Sequence, residues 1–241
     1  MTKPSRYTIN CDLGEGMPNE PQIIPLIDLG SVACGGHFGD RESLRRTLEL
    51  LRNLGKRAGA HPSYPDRENF GRKSMAITPP DLLGHLADQL ALFQALAKET
   101  GLLIDHIKFH GALYNDAAER PELAAVLLDF LEKEYPAIPL LLPPHSEMEK
   151  AARARKHPFC LELFGDRAYR DDYRLASRSE PKALFTQSQD VIEHLDAILL
   201  HGEIKTASGR LIPVQADTIC FHGDNPGILD ILLQVRKRYW T

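Results

Sequence analysis

Ile107-Lys108-Phe109-His110-Gly111-Ala112-Leu113-Tyr114-Asn115 follows the apolar run Leu102-Leu103-Ile104 and sets a cation, an imidazole, a glycine, a phenol and an amide ahead of a helical pattern. This is the form of a strand end that carries chemistry. Side chains two apart share a face of a strand, so Lys108 and His110 are expected on one side and Ile107 and Phe109 on the other.

Outward from this stretch, short apolar runs alternate with amphipathic helical periods along the whole chain, the pattern of a parallel β/α protein. Strands are expected at 7–13, 31–36, 57–60, 102–109, 139–142, 159–164 and 218–221. The helices between them carry start signals. Asp40 precedes Leu44, Leu48 and Leu51, with Gly55 as the stop; Thr78-Pro79-Pro80-Asp81 precedes Leu82, Leu86, Leu90 and Phe93. Asp116 is read as the cap ahead of Leu123, Leu127 and Phe130, and Thr186 with Gln189 as a capping box ahead of Val191, Leu195 and Ile198. Asn225-Pro226 opens the last helix, whose buried face is Ile228, Leu232, Val235 and Tyr239. Ser208-Gly209, between Glu203-Ile204-Lys205 and Leu211-Ile212-Pro213-Val214, breaks the alternation and predicts a small hairpin inserted before the last strand.

The 241 residues match the size of a single β/α barrel, and no repeat, low-complexity tract or composition break divides them, so residues 1–241 are read as one domain. Hydrophobic content of 43% and charged content of 26% suit a globular core. A net charge of −4 with both signs interspersed gives no electrostatic basis for a nucleic-acid or anionic-membrane partner. With no apolar run long enough to span a bilayer, and residues 1–6 leading into a strand rather than a signal-type segment, the expected location is the cytoplasm. Cys11, Cys34, Cys160 and Cys220 form no Cys-x-x-Cys pair and sit in apolar strands, which predicts buried, reduced thiols.

Polar residues concentrate at the strand ends. Strand one ends in Asn10-Cys11-Asp12-Leu13-Gly14-Glu15-Gly16, strand two in Cys34-Gly35-Gly36-His37, and strand three in Ala60-His61-Pro62-Ser63-Tyr64-Pro65-Asp66. Strand six runs into Glu162-Leu163-Phe164-Gly165-Asp166-Arg167, and the last strand into Cys220-Phe221-His222-Gly223-Asp224. In parallel β/α folds the carboxyl ends of the strands share one face, which holds the active site. His37, His61, His110 and His222 are therefore expected to converge with Asp12, Lys108 and Asp224. The other histidines, His85, His106, His145, His157, His194 and His201, fall mostly on helices or their edges and are read as solvated or packed. Asp40, Asp116 and Asn225 are read as helix caps.

That set permits two chemistries. Asp12 beside imidazoles could hold a divalent metal and activate water, although no His-Glu-x-x-His helix or familiar histidine pair signals it, and no metal ligand is assigned. Without a metal, Asp12 or His61 would act as general base, Lys108 would stabilise an oxyanion, and His110 or His222 would pass a proton to a leaving nitrogen.

Taken in order, the strand-end strings, with Gly39-Asp40, Phe70-Gly71-Arg72 and Asp166-Arg167-Ala168-Tyr169, resemble the LamB/YcsF family over nearly the whole chain. The resemblance implies a seven-stranded parallel β/α barrel related to glycoside hydrolases and polysaccharide deacetylases. It also implies activity as the A component of an ATP-dependent 5-oxoprolinase, which opens the lactam of 5-oxo-L-proline to L-glutamate with ATP and Mg2+, in a complex with two further subunits, B and C. Asp12, His61, Lys108, His110 and His222 would be catalytic; Asn10, Glu15, His37, Tyr64, Arg72, Tyr114, Asn115, Glu162 and Asp224 would meet substrate. No Gly-x-x-x-x-Gly-Lys-Ser/Thr loop is present, so the nucleotide is expected to bind in another way or on a partner. The chain departs from the family pattern at Gly36, Ser63 and Phe109, where Phe, Gly and Pro are usual. The alternative readings are a metal-dependent, deacetylase-like hydrolase of a C–N bond and a diverged non-catalytic or regulatory subunit.

Overall fold

The computed structural model describes residues 7–240; residues 1–6, read above as a lead into the first strand, and Thr241 lie outside them. Seven parallel strands close a barrel: β1 (Thr8–Leu13), β2 (Leu29–Ala33), β3 (Arg57–His61), β4 (Ile104–Ile107), β5 (Leu140–Leu142), β6 (Phe159–Phe164) and β9 (Thr218–Phe221), with β9 returning to β1. The expected hairpin is present as β7 (Glu203–Lys205) and β8 (Leu211–Pro213), paired antiparallel with Ile204 opposite Ile212. Two boundaries differ from expectation. Strand β2 starts at Leu29 and stops at Ala33, because Cys34-Gly35-Gly36 leaves the ladder to enter the turn that carries His37. Strand β4 stops at Ile107, with Lys108 and His110 continuing only as single bonds from their N–H groups to the Ala60 and Pro62 carbonyls.

Helices α2 (Arg41–Asn53), α3 (Pro79–Thr100), α4 (Gly111–Glu119), α5 (Pro121–Glu134), α6 (Glu147–Arg155), α7 (Ser188–Asp196) and α8 (Ile228–Tyr239) surround the barrel, and a single turn, α1 (Glu20–Ile23), follows β1. Asp40 caps α2 in a reciprocal box with Ser43, and Thr78 caps α3. Two expected caps are not formed, and a third makes further bonds besides. Asp116 lies inside α4, where its carboxylate accepts from Tyr64 Oη (2.9 Å) and Ser74 Oγ (2.7 Å); α5 begins instead at Arg120-Pro121. Helix α7 begins after Gln187 with no side-chain cap bond, so Thr186 and Gln189 form no box. Asn225, buried ahead of α8, does meet the expected cap role, its Oδ1 accepting from the Gly227 N–H (3.0 Å), while its Nδ2 donates to Asp166 Oδ2 and to the Phe185 carbonyl.

The β1–β2 pairing sets Asn10 opposite Leu29 and Asp12 opposite Ser31. Strand alternation then sends Ile9, Cys11 and Leu13 outward into the apolar layer under the helices, while Asn10 and Asp12 point into the barrel. Ile107 and Phe109 are likewise in that outer layer, as expected. The barrel interior is polar for much of its length. Asn10 Nδ2 donates to Thr218 Oγ1 (2.8 Å), and His106 meets Ser31 Oγ (2.9 Å). Gly59 makes room for that ring, since a Cβ there would overlap His106. His106 is therefore a strand residue inside the barrel, not a helix-edge one. Cys11, Cys34 and Cys220 are buried and Cys160 half-buried, all with free thiols.

Candidate active site

At the carboxyl ends of the strands the polar side chains meet in two adjoining groups. The first is built on Lys108, a residue only 2% exposed. Its ammonium donates to Asp12 Oδ1 (2.8 Å) and to Cys220 Sγ (3.1 Å), pairs with Glu162 Oε1 (3.1 Å), and stands 5.0 Å from the Phe164 ring centroid. Burial alone would lower this amine's pKa, but Asp12, Cys220 and Glu162 hold it well above the usual lysine range. Burial likewise works to raise the Asp12 carboxyl, and the neighbouring His61 ring and Lys108 ammonium outweigh it, keeping Asp12 ionised. Glu162 also accepts from Tyr114 Oη (3.1 Å), so this carboxylate is shared between a phenol and the ammonium.

The second group is imidazole-rich. His61 Nε2 is 3.0 Å from His110 Nδ1 and 3.5 Å from Asp12 Oδ2. Glu15 Oε1 is 3.0 Å from His37 Nε2, 3.3 Å from His110 Nδ1 and 4.0 Å from His61 Nε2. His37 stacks flat on His110 with centroids 3.6 Å apart, and its Nδ1 is buried without a hydrogen-bond partner. Burial pushes the His37 imidazole down to about 4. The far nitrogens are fixed by backbone: His61 Nδ1 lies 2.8 Å from the Lys108 carbonyl, and His110 Nε2 lies 3.0 Å from the Phe70 carbonyl.

Of the residues expected here, Asp12, Glu15, His37, His61, Lys108, His110, Tyr114 and Glu162 converge. His222 stands across the mouth, stacked on Phe164, with Nδ1 donating to Asp166 Oδ1 (2.8 Å). Since a carboxylate only accepts, that bond places the ring proton on Nδ1 and leaves Nε2 as the acceptor of the neutral ring. Asp224 is clamped between Arg72 (2.7 Å) and Arg178 (2.9 Å) at the rim. A cleft of about 610 Å3 opens beside His110, with Arg72, Asn115, Lys150, Arg167, Arg174 and Arg178 in its wall. Two expected residues lie apart. Asn10 sits one rung lower, bonded to Thr218, and the Tyr64 hydroxyl is spent on Asp116. Asp166, Arg178 and Cys220 were not assigned from sequence. Asp166 had a signal, its place four residues beyond Glu162 at a strand end; Arg178 had none.

The departures at Gly36 and Ser63 are packed as a pair. A Cβ on Gly36 would overlap Ser63 Oγ and Gln89 Oε1, and Gln89 in turn bonds both the N–H and the carbonyl of Ser63 (3.0 and 2.9 Å).

Fold and site together define a parallel β/α barrel with a buried acid–base centre at the carboxyl ends of its strands. The chain belongs to the LamB/YcsF family, whose pattern matches residues 7–240. It is 35% identical to the 5-oxoprolinase A subunit of Haemophilus influenzae (strain PittEE) over 91% of this chain and 90% of that one. It is equally similar to the 5-oxoprolinase A subunit of Neisseria meningitidis serogroup A over 95% and 94%. The lactam utilization protein from Thermus thermophilus superposes with a TM-score of 0.88 at 30% identity, covering 96% of each chain. A GH18 chitinase from Pseudoalteromonas aurantia, at 8% identity and a TM-score of 0.53 over 95% of this chain and 99% of that one, shares the barrel fold alone. Among the described residues no helix is long and apolar enough to cross a membrane.

Proposed function

We propose that this chain is the A subunit of an ATP-dependent 5-oxoprolinase, hydrolysing the lactam of 5-oxo-L-proline to L-glutamate together with B and C subunits. The observation that carries the reading is the Lys108 ammonium, buried between Asp12 and Glu162 beside a set of imidazoles, in a chain that aligns with relatives named for this activity along nearly its full length.

Opening an unstrained lactam needs water at the carbonyl carbon, charge stabilisation at its oxygen and a proton for the departing nitrogen. Asp12, held ionised, orients the water. The fixed positive potential of Lys108 favours negative charge on the lactam oxygen, and its position is set in advance by its carboxylate partners. His222, kept in one tautomer by Asp166, takes a proton from the attacking water at Nε2 and returns it from there to the lactam nitrogen as the C–N bond breaks. Arg72 and Arg178 bring two cations to one carboxylate, Asp224, and so leave the rim net positive for the substrate's own carboxylate. ATP, with Mg2+ as its counter-ion, would supply activation by phosphorylating the lactam oxygen. The cations of the rim cleft fit its phosphates, while the absence of a glycine-rich phosphate loop points to side-chain contacts or a partner's surface for the rest.

The test is reconstitution. The purified chain with its cognate B and C subunits, 5-oxoproline and Mg-ATP is expected to release glutamate and ADP. Absence of both products, with B and C shown to work beside an A component of known activity, refutes the reading.

A further inference from the structure

We propose that Glu15, His61 and His110 form a binding site for one divalent transition-metal ion of the zinc class, with Asp12 facing the coordination position left for water. The inference deepens the hydrolytic reading and rests on it only for what the ion would be used for.

His61 Nδ1 and His110 Nε2 both lie on backbone carbonyls, at 2.8 and 3.0 Å. A carbonyl only accepts, so each ring carries its proton on that side. The two remaining nitrogens, His61 Nε2 and His110 Nδ1, therefore present lone pairs to one another at 3.0 Å. Glu15 Oε1 closes on the same point, 3.3 Å from one nitrogen and 4.0 Å from the other, and Asp12 Oδ2 stands 3.5 Å from His61 Nε2. Every atom around the gap is an acceptor. A single added proton would satisfy one of these contacts, whereas a dication satisfies all of them.

Size and surroundings agree. Ligand atoms about 2.0–2.2 Å from a tetrahedral zinc stand about 3.3–3.5 Å from one another, the range spanned by the observed 3.0, 3.3 and 4.0 Å. Two imidazoles and one carboxylate suit zinc, cobalt or manganese better than magnesium, which prefers oxygen and keeps its water. The supporting contacts are those of ligating side chains. Backbone carbonyls orient both histidines, and His37 Nε2 at 3.0 Å steadies the Glu15 carboxylate. Asp12 keeps one oxygen on Lys108 and turns the other toward the gap, where it would accept a hydrogen bond from bound water. The ion would lower the pKa of that water and polarise a carbonyl beside it.

The experiment uses the full chain, stripped with a chelator, returned to metal-free buffer and titrated with Zn2+ or Co2+ by calorimetry. One equivalent should bind, with a rise in melting temperature and, for Co2+, visible bands of four-coordinate intensity. Glu15→Gln and His110→Asn should each weaken binding by more than the roughly 10–100-fold that loss of an orienting partner costs. His85→Ala, on the exposed side of α3, should leave it unchanged. If His110→Asn does not fold, the near-isosteric Glu15→Gln decides. No stoichiometric binding, or binding that Glu15→Gln leaves intact, overturns the assignment. The two readings separate cleanly: an ion bound at this site without glutamate release keeps the metal site and removes the lactam reaction. Undiminished glutamate release by chelated protein that takes up no ion on titration does the reverse.

Discussion

Two sets of imidazoles are buried in the same barrel, and they are satisfied in opposite ways. Lower down, His106 has a hydroxyl at Nε2 (Ser31, 2.9 Å) and a carboxylate at Nδ1 (Asp105, 3.0 Å), so each nitrogen finds a partner able to complement it. At the mouth, His61 and His110 have their protons drawn to carbonyls and their lone pairs turned on each other and on Glu15. Burial is nearly equal, at 1% exposed for His106 and 1% and 5% for the mouth pair, so burial does not distinguish a structural histidine from a working one. The balance of donors and acceptors does. A surplus of acceptors is costly to the apo fold, and a fold retains it where a ligand relieves it.

Five substitutions test the contrast between the two imidazole sets. Lys108→Met has the largest effect, because it strands Asp12 and Glu162 as buried anions. Urea unfolding should show a loss of about 3–5 kcal/mol, and turnover of the folded fraction should fall at least ~10³-fold. A further buried imidazole, His194, has a carbonyl partner (Phe164, 3.2 Å) among Tyr169 and Phe185, and burial pushes it down to about 4. The unfolded chain takes up this proton near pH ~6.5, before the folded one does. Its contribution is thus complete above about 6.5 and declines by about 3 kcal/mol as pH falls toward about 4; His194→Gln should flatten that part of the stability profile.

His106→Ala and His110→Asn set the two imidazole sets directly against each other. The first should cost about 2 kcal/mol, through a cavity and the stranded Ser31 and Asp105 groups, while the folded protein keeps its turnover. The second should leave chelated protein as stable as before, or more so, and abolish turnover. Equal losses of stability in both variants would dissolve the distinction. Smallest is Arg72→Ala, at the solvated rim. A KM raised about tenfold with kcat little changed is expected, since Arg178 remains on Asp224 and the interaction is one of binding.

The barrel was legible because alternation and helical period are local signals: all seven strands are present in the expected order, with shifted ends at β2 and β4, and the hairpin between Lys205 and Leu211 and the buried face of α8 lie where the pattern puts them. So was the gathering of Asp12, His61, Lys108 and His110, which needs only the rule that parallel strands end on one face. Long-range side-chain bonds were not legible. Asp116 has the spacing of a cap yet binds Tyr64 across 52 residues, and Asn225, which does cap, also binds Asp166 across 59. Sequence spacing carries no record of such partners. The acceptor surplus between His61 and His110 was hidden for the same reason, since it depends on where two backbone carbonyls fall.

One of those carbonyls belongs to a loop. Phe70, in a left-handed conformation at φ 56°, gives its oxygen to His110 Nε2 and packs its ring against His37, while Gly71 accepts from the Ala112 N–H at the start of α4. The His110 tautomer is thus written by a segment of the surface. Any displacement of this loop carries with it the carbonyl that decides which nitrogen of the ring is basic, so the proton map of the interior hangs on the position of a single oxygen atom near the rim.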